Sequence, residues 1–212
     1  MDRLPIDRLQ EIFDRQRELM GRFHPIEVQN GLPRPELPIK LDLHTSQDRL
    51  RGLAWHVMEE FVETIQASEE KGRHDLVEEL ADTFHFLVEL ALTIGFSPHN
   101  LVRSDRENAP DSLEYLYYAA EQYFPETAWP AEPAYVYLNF ILCLGNTMHA
   151  LKNKPWKQTA REVDILVLFS RMRITLIAFT EVCRWHGVGS WALYEAYLGK
   201  SLVNHNRIDS GV

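Results

Sequence analysis

The sequence predicts an all-α fold, and three observations carry that prediction. Apolar residues recur at i, i+3, i+4 and i+7 through most of the 212 residues. Ser, Thr and Asp precede these stripes, and Gly or Pro follows them, as at helix starts and stops. Strand-like alternation broken by short turn dipeptides is absent.

The elements follow in order. The first helix is expected from Asp7 to about Phe23. A connection from Pro25 to Leu43, with Gly31, Pro33, Pro35 and Pro38, is expected to lie extended on the surface. The second helix starts near Thr45 or Ser46 and runs to Lys71, closed by Gly72. Leu50, Leu53, Ala54, Val57, Phe61 and Ile65 form its apolar stripe. The third opens at Asp75, with Glu78 as capping-box partner, and runs to Ile94, stopped by Gly95. Ser97-Pro98 reads as the start of a short helix. Pro125, Pro130 and Pro133 make residues 124–134 a loop between two helical halves of one domain, residues 1–212. Tyr135 to Leu151 is helical, and Asn153-Lys154-Pro155 breaks it. Thr159 with Glu162 is expected to cap a long helix that reaches His186 before Gly187 and Gly189. Trp191 to Gly199 forms a last short helix, and a polar tail runs from Lys200 to Val212. No internal repeat or low-complexity run is evident.

Composition narrows the function classes. Hydrophobic residues make up 45% of the chain, yet no apolar stretch is long enough to span a bilayer. The N-terminus lacks the apolar core of a secretory signal, so a cytoplasmic location is expected, with no membrane partner. The net charge of −9 argues against duplex nucleic acid, which needs a basic stripe. A triphosphate stays open, because divalent cations can sit between an acidic site and an anion. Cys143 and Cys183 lie in apolar segments without a CxxC pair and read as buried small hydrophobes.

The chemistry concentrates in six acids on the second and third helices. At about 100° per residue, Glu60 and Glu63 flank the apolar stripe, whereas Glu59 points to solvent. Glu79 and Asp82 lie along one edge of the third helix, and Glu78 is taken up as a cap. A short connection makes the two helices antiparallel, so the two i, i+3 pairs can face each other. Four carboxylates brought together repel unless cations neutralise them. An all-oxygen set suits a hard ion, Mg2+ with Mn2+ as a substitute. Solvated helix faces are the bland alternative. A di-iron bundle is another, since Asp82-Thr83-Phe84-His85 has the i, i+3 spacing of such sites. Glu181 and His186 are five apart, however, so no second such pair exists.

These residues also carry a family resemblance. Glu59-Glu60-Phe61-Val62-Glu63, then Glu79-Leu80-Ala81-Asp82 after fifteen intervening residues, resembles the ExxE…ExxD signature of the all-α NTP pyrophosphohydrolases. That superfamily includes the MazG proteins and the dimeric dUTPases. Residues 78–87, Glu-Glu-Leu-Ala-Asp-Thr-Phe-His-Phe-Leu, are similar to the dimeric dUTPase branch, many of whose members come from phages and trypanosomatids. So is the segment 151–158 with Lys152, Lys154, Trp156 and Lys157, and so are Lys200, Asn204, Arg207 and Gly211 near the end.

The resemblance implies a four-helix core of that type with additional C-terminal helices. It implies that Glu60, Glu63, Glu79 and Asp82 hold Mg2+ and do the catalysis. Lys200 and Arg207 would reach phosphates, Asn204 would support the nucleotide, and the tail would fold over the substrate. Lys154 and Lys157 are further phosphate candidates, and Gln16 would contact the base. A homodimer is also implied. Departures from the family pattern leave the metal residues intact and bear on uracil specificity. Met20 stands where Asn or Asp is typical, Ile208 and Val212 replace Gln and Tyr, and residues 66–71 lack the usual Trp- and Lys-rich stretch. The expected reaction is hydrolysis of a (d)NTP to the monophosphate and pyrophosphate, dUTPase-like. The alternatives are the same chemistry on a purine or modified dNTP, as in MazG-like pool cleaning, and a non-catalytic helical interaction module.

Overall fold

The computed structural model describes residues 7–32, 36–70, 73–101, 111–124, 132–154, 156, 158 and 161–211. Among them it has seven α-helices and no strand, so the fold is all-α as the periodicity predicts. The helices are α1 (Arg8–Gln29), α2 (His44–Glu70), α3 (Arg73–Thr93), α4 (Ser112–Tyr123), α5 (Pro133–Ala150), α6 (Ile165–Trp185) and α7 (Ser190–Ser210). A 3-10 turn, Pro98–Leu101, links α3 toward α4. No described helix is long and apolar enough to cross a membrane.

Two antiparallel pairs, α2–α3 and α5–α6, form the main helix hairpins, and α7 returns to pack on α1 and α3. One contiguous apolar core joins them. At its centre Phe84 stacks on Phe179 at 5.3 Å and Phe61 meets Phe140 edge-on at 4.6 Å. These contacts tie α3 to α6 and α2 to α5. Each hairpin also carries one buried hydroxyl pair across its seam, Thr64–Thr83 at 3.1 Å and Thr147–Thr175 at 2.8 Å.

Several boundaries differ from the sequence expectation, each for a local reason. Helix α1 continues through Pro25 to Gln29. A proline interior to a helix removes one donor and costs about 3 kcal/mol, but it does not forbid the next turn. The effective stop is Asn30-Gly31, where Gly31 takes φ +75°. Helix α3 starts at Arg73, so Asp75 sits inside the first turn and is not the N-cap. Glu78 is exposed and faces His74 at 3.7 Å. Asp164, not Thr159, caps α6, its carboxylate accepting from Leu166 N and Val167 N. Glu162 lies in the extended stretch before α6, and Thr159 lies outside the described residues, as does Gly72. Pro133 and Ala134 belong to α5, because Pro at the first helical positions lacks a donor that would be unpaired anyway. Helix α4 was not anticipated. Its signals are Asp111, which caps Leu113 N and Glu114 N, and the stripe Leu113, Leu116 and Ala120.

The largest correction concerns the C-terminal segment. The expected short helix and polar tail are one helix, α7, which reaches Ser210 and ends on Gly211 at φ +70°. Leu193, Tyr197 and Ser201 are buried, and Gly199 is the one residue among them of poor helix propensity. Arg22 of α1 clamps the far end of α7 through Asp209 and through His205 at 2.6 Å.

Candidate functional site

Helices α1, α2, α3 and α7 enclose a cavity of about 630 Å³, a volume ordinary for a small-molecule site. Each helix presents one stripe to it. From α2 come Arg49, Gly52, Leu53, His56 and Glu60, and from α3 come Asp82, His85, Phe86 and Glu89. Helix α1 contributes Gln16, Leu19, Phe23 and Glu27, and α7 contributes Lys200, Asn204 and Arg207. Within each helix these residues recur every 3 or 4 positions, with Gly52–Leu53 and His85–Phe86 as adjacent pairs, which is one face of a helix.

The α2–α3 seam brings together three of the four expected acids. Carboxylate oxygens of Glu60, Glu79 and Asp82 lie within 4.8 Å of one another. Glu63 is exposed and stands outside this cluster, because its place on α2 turns it toward the surface. Its charge still reaches Glu60. Burial, then the charges of Asp82, Glu63 and Glu79, push the Glu60 carboxyl up to about 7. Burial also raises Asp82, opposed by a 2.5 Å hydrogen bond from Lys200 Nζ and by the charges of Lys200 and Arg207. Glu59 is exposed, as expected, and accepts from Trp55 Nε1 at 2.8 Å. His85 is not part of the acidic cluster, so the di-iron spacing finds no ligand set among the described residues.

Helix α7 carries the cationic side. Lys200, Asn204 and Arg207 fall at i, i+4 and i+7, so one continuous helix turns all three to the cavity. Arg207 Nη1 donates to Asn204 Oδ1 at 3.5 Å and is otherwise exposed. Acids and cations thus meet at one end of the cavity.

Gln16 is buried, and its amide organises the inner wall. Its Oε1 accepts from the Tyr197 hydroxyl at 2.7 Å and meets His85 Nδ1 at 2.8 Å, while its Nε2 faces Glu89 Oε2 at 3.4 Å. His85 stacks on Tyr197 with centroids 3.9 Å apart. Burial pushes the His85 imidazole down to about 3, so it is neutral at ordinary pH. His56 tilts against Phe86 at 5.4 Å farther along the same wall.

One expected contact is not made here. Lys154 does not line the cavity. Asn153 holds its segment against the start of α2 by donating its backbone N–H to Gln47 Oε1 and its amide to Asp42 O, while its Oδ1 accepts from Arg161 N. Lys157 lies outside the described residues. Conversely, His56, His85, Phe86, Glu89 and Gly52 went unassigned as site residues. The signal for them was present, since each extends the acidic stripe of its own helix by one or two turns.

Residues 37–106 match the family model described as phosphoribosyl-ATP pyrophosphohydrolase, about a third of the chain. The matched span includes α2, α3 and all four expected acids but neither α1 nor α7. It supports similarity to nucleotide pyrophosphohydrolases in general and does not single out the dimeric dUTPase branch. No curated protein and no solved structure gives a significant match.

Proposed function

We propose that the chain is a magnesium-dependent nucleoside triphosphate pyrophosphohydrolase that cuts a (d)NTP into the monophosphate and pyrophosphate. One observation carries this reading. Three clustered carboxylates on α2 and α3 share a cavity mouth with Lys200, Asn204 and Arg207 on α7. The two halves satisfy each other only in part: Lys200 pairs with Asp82, while the clustered acids still repel one another and Arg207 is exposed beyond its contact with Asn204. A divalent ion with a polyphosphate completes both.

The donor set fits the ion. It is all oxygen, as Mg2+ or Mn2+ requires. The upward shift of Glu60 comes first from burial and then from the charges of Asp82, Glu63 and Glu79, which Lys200 opposes. Glu60, Glu79 and Asp82 would hold the cation, with Glu63 as the fourth candidate. When bound, it would neutralise phosphate charge and supply an activated water. Lys200 and Arg207 would bind the leaving phosphates through charge-assisted hydrogen bonds. Asn204 would hold the nucleotide between them. The rest of the cavity, walled by Phe23, Leu53, Phe86 and Gln16, has room for a sugar and base.

The base preference is dUTPase-like on the resemblance of residues 78–87 and of the terminal Lys, Asn and Arg. A purine nucleotide is the second reading, favoured by the name of the matched family. The test is pyrophosphate release with Mg2+ or Mn2+ from dUTP, dCTP, dATP, dGTP, dTTP, the ribonucleotides and phosphoribosyl-ATP. No release from any of them would sink the enzyme reading and leave a non-catalytic helical module. Labelled water would assign the attacked phosphorus. A homodimer belongs to the same proposal, supported by Trp55, Leu138 and Leu142, which are apolar and more than half exposed.

A further inference from the structure

The cationic face of α7 extends onto a half of that helix which the core does not hold. The last apolar α7 residue packed against the core is Leu198, and the last buried residue is Ser201. From Leu202 to Ser210 no residue is buried. Asn204 and Arg207 both fall in this half and both line the cavity. A helix end without buried side chains opens at little free-energy cost, and the direction of any side chain on it is lost with the opening.

One residue outside the cavity opposes that opening. Arg22 on α1 does not line the cavity. Its Nη2 donates to Asp209, and its Nη1 donates to His205 Nδ1 at 2.6 Å. A guanidinium only donates, so His205 Nδ1 takes this bond with its lone pair. Among the described residues, these are the hydrogen bonds that join residues 202–210 to another element, since the bonds of Arg207 and Ser210 stay within α7. His205 and Asp209 are four apart and share one face of the helix. They bracket Arg207 in sequence, and Asn204 adjoins His205. A rigid two-armed fork on that face sets both the position and the rotation of the segment. Such a pair does little for global stability, because the Arg22 and Asp209 side chains are 32% and 65% exposed. Its effect is local to the end of α7.

We propose that Arg22 is a positioning residue: it latches the C-terminal half of α7 over the cavity and so sets the reach of Asn204 and Arg207 toward a polyphosphate. It touches neither substrate nor cation. This rests on the nucleotide reading above, which gives those two side chains their ligand.

The experiment uses the full chain with Mg2+ and the triphosphate that it cuts best. Arg22→Ala should raise KM about three- to tenfold and lower kcat by less. Arg22→Lys should fall between, since an ammonium cannot bridge both partners as a fork does. Asp209→Ala should raise KM less than Arg22→Ala, because His205 keeps its arm. Arg22→Ala combined with Asp209→Ala should be no worse than Arg22→Ala alone. Arg17 pairs with Asp14 of its own helix, so Arg17→Ala removes the same charge away from α7 and should keep the parent KM. Each variant should melt within about 2 °C of the parent. Inorganic tripolyphosphate with Mg2+, titrated calorimetrically, makes the comparison without catalysis and should bind Arg22→Ala more weakly by the same factor. Amide hydrogens of residues 202–211 should exchange several-fold faster in Arg22→Ala, with α2 and α3 as in the parent.

Unchanged exchange at 202–211, an equal rise of KM in Arg17→Ala, or additive effects in the double variant overturns the latch. If triphosphates are cut and Arg22→Ala has the parent KM, the latch fails and the hydrolase stands. If no triphosphate is cut but tripolyphosphate binds Arg22→Ala more weakly than the parent, the latch stands and the hydrolase fails.

Discussion

The α2–α3 and α5–α6 hairpins share a middle and differ in what surrounds it. Each is cross-linked by a buried pair of threonine hydroxyls. In both, a threonine also bonds back to the carbonyl four residues earlier, Thr64 to Glu60 O, Thr147 to Cys143 O and Thr175 to Arg171 O. The positions four and one before each threonine then diverge. In α2 and α3 they are Glu60, Glu63, Glu79 and Asp82. In α5 and α6 they are Cys143, Asn146, Arg171 and Ile174. The same backbone arrangement holds an acidic cluster in one hairpin and nothing anionic in the other. Helix packing therefore supplies the geometry, and the side chains at two offsets supply the chemistry.

The largest test of that contrast is charge removal at the acids. Asp82→Asn is expected to lower turnover about 100-fold or more with the circular dichroism spectrum kept, whereas Asn146→Asp in the other hairpin should leave turnover alone. Equal effects would break the contrast. Next is the cationic side. Lys200→Ala should cost about 10- to 100-fold in kcat/KM for a triphosphate, since it removes a charged donor from the mouth. An unchanged kcat/KM would detach α7 from the site.

A smaller effect is expected where the hairpins agree. Thr147→Val should destabilise by about 1 kcal/mol in urea unfolding, as Thr175 keeps its bond to Arg171 O, and Thr64→Val by at least as much. Only Thr64→Val should also disturb turnover. The smallest effect concerns pH without divalent ions. Glu60 titrates at about 7 in the folded chain, above its ordinary 4.5. The folded state then binds the proton more tightly, so this contribution to stability is complete below pH 4.5. It is lost as pH rises to 7. Melting temperature in EDTA should fall across that window, and Glu60→Gln should flatten the fall. A slope unchanged in Glu60→Gln would show that Glu60 is not its source.

The sequence showed part of this clearly and part not at all. Periodicity identified α2 and α3 nearly to their ends, because both have long apolar stripes and flanking acids. The angular argument separated Glu59 from Glu60 correctly, since both sit on a regular helix. It did not separate Glu63 from Glu60: Glu63 is exposed and outside the cluster, although Glu79 and Asp82, at the same i, i+3 spacing, both belong to it. Lys200, Asn204 and Arg207 had helical spacing in plain view, but their polar surroundings hid the helix. What buries α7 is Leu193 and Tyr197, which continue the face of Lys200 and Asn204 toward the helix start, with Ser201 beside them. Gln16 and His85 could not be paired from sequence, being 69 positions apart. The proline in α1 read as a stop because a proline's local cost is legible and the tertiary contacts that outweigh it are not.

The ion pair between Asp82 and Lys200 has a consequence for how the site fills. An acidic cluster with no cation of its own would take up any divalent ion by simple addition. Here the ammonium already occupies the Asp82 carboxylate at 2.5 Å. On the proposed reading, uptake would be an exchange: an incoming divalent ion would compete with the ammonium for Asp82, and the freed ammonium would be left at the mouth for a phosphate. Cation without phosphate strands the lysine, and phosphate without cation finds it engaged. The two ligands should accordingly enter as a pair, each making room for the other.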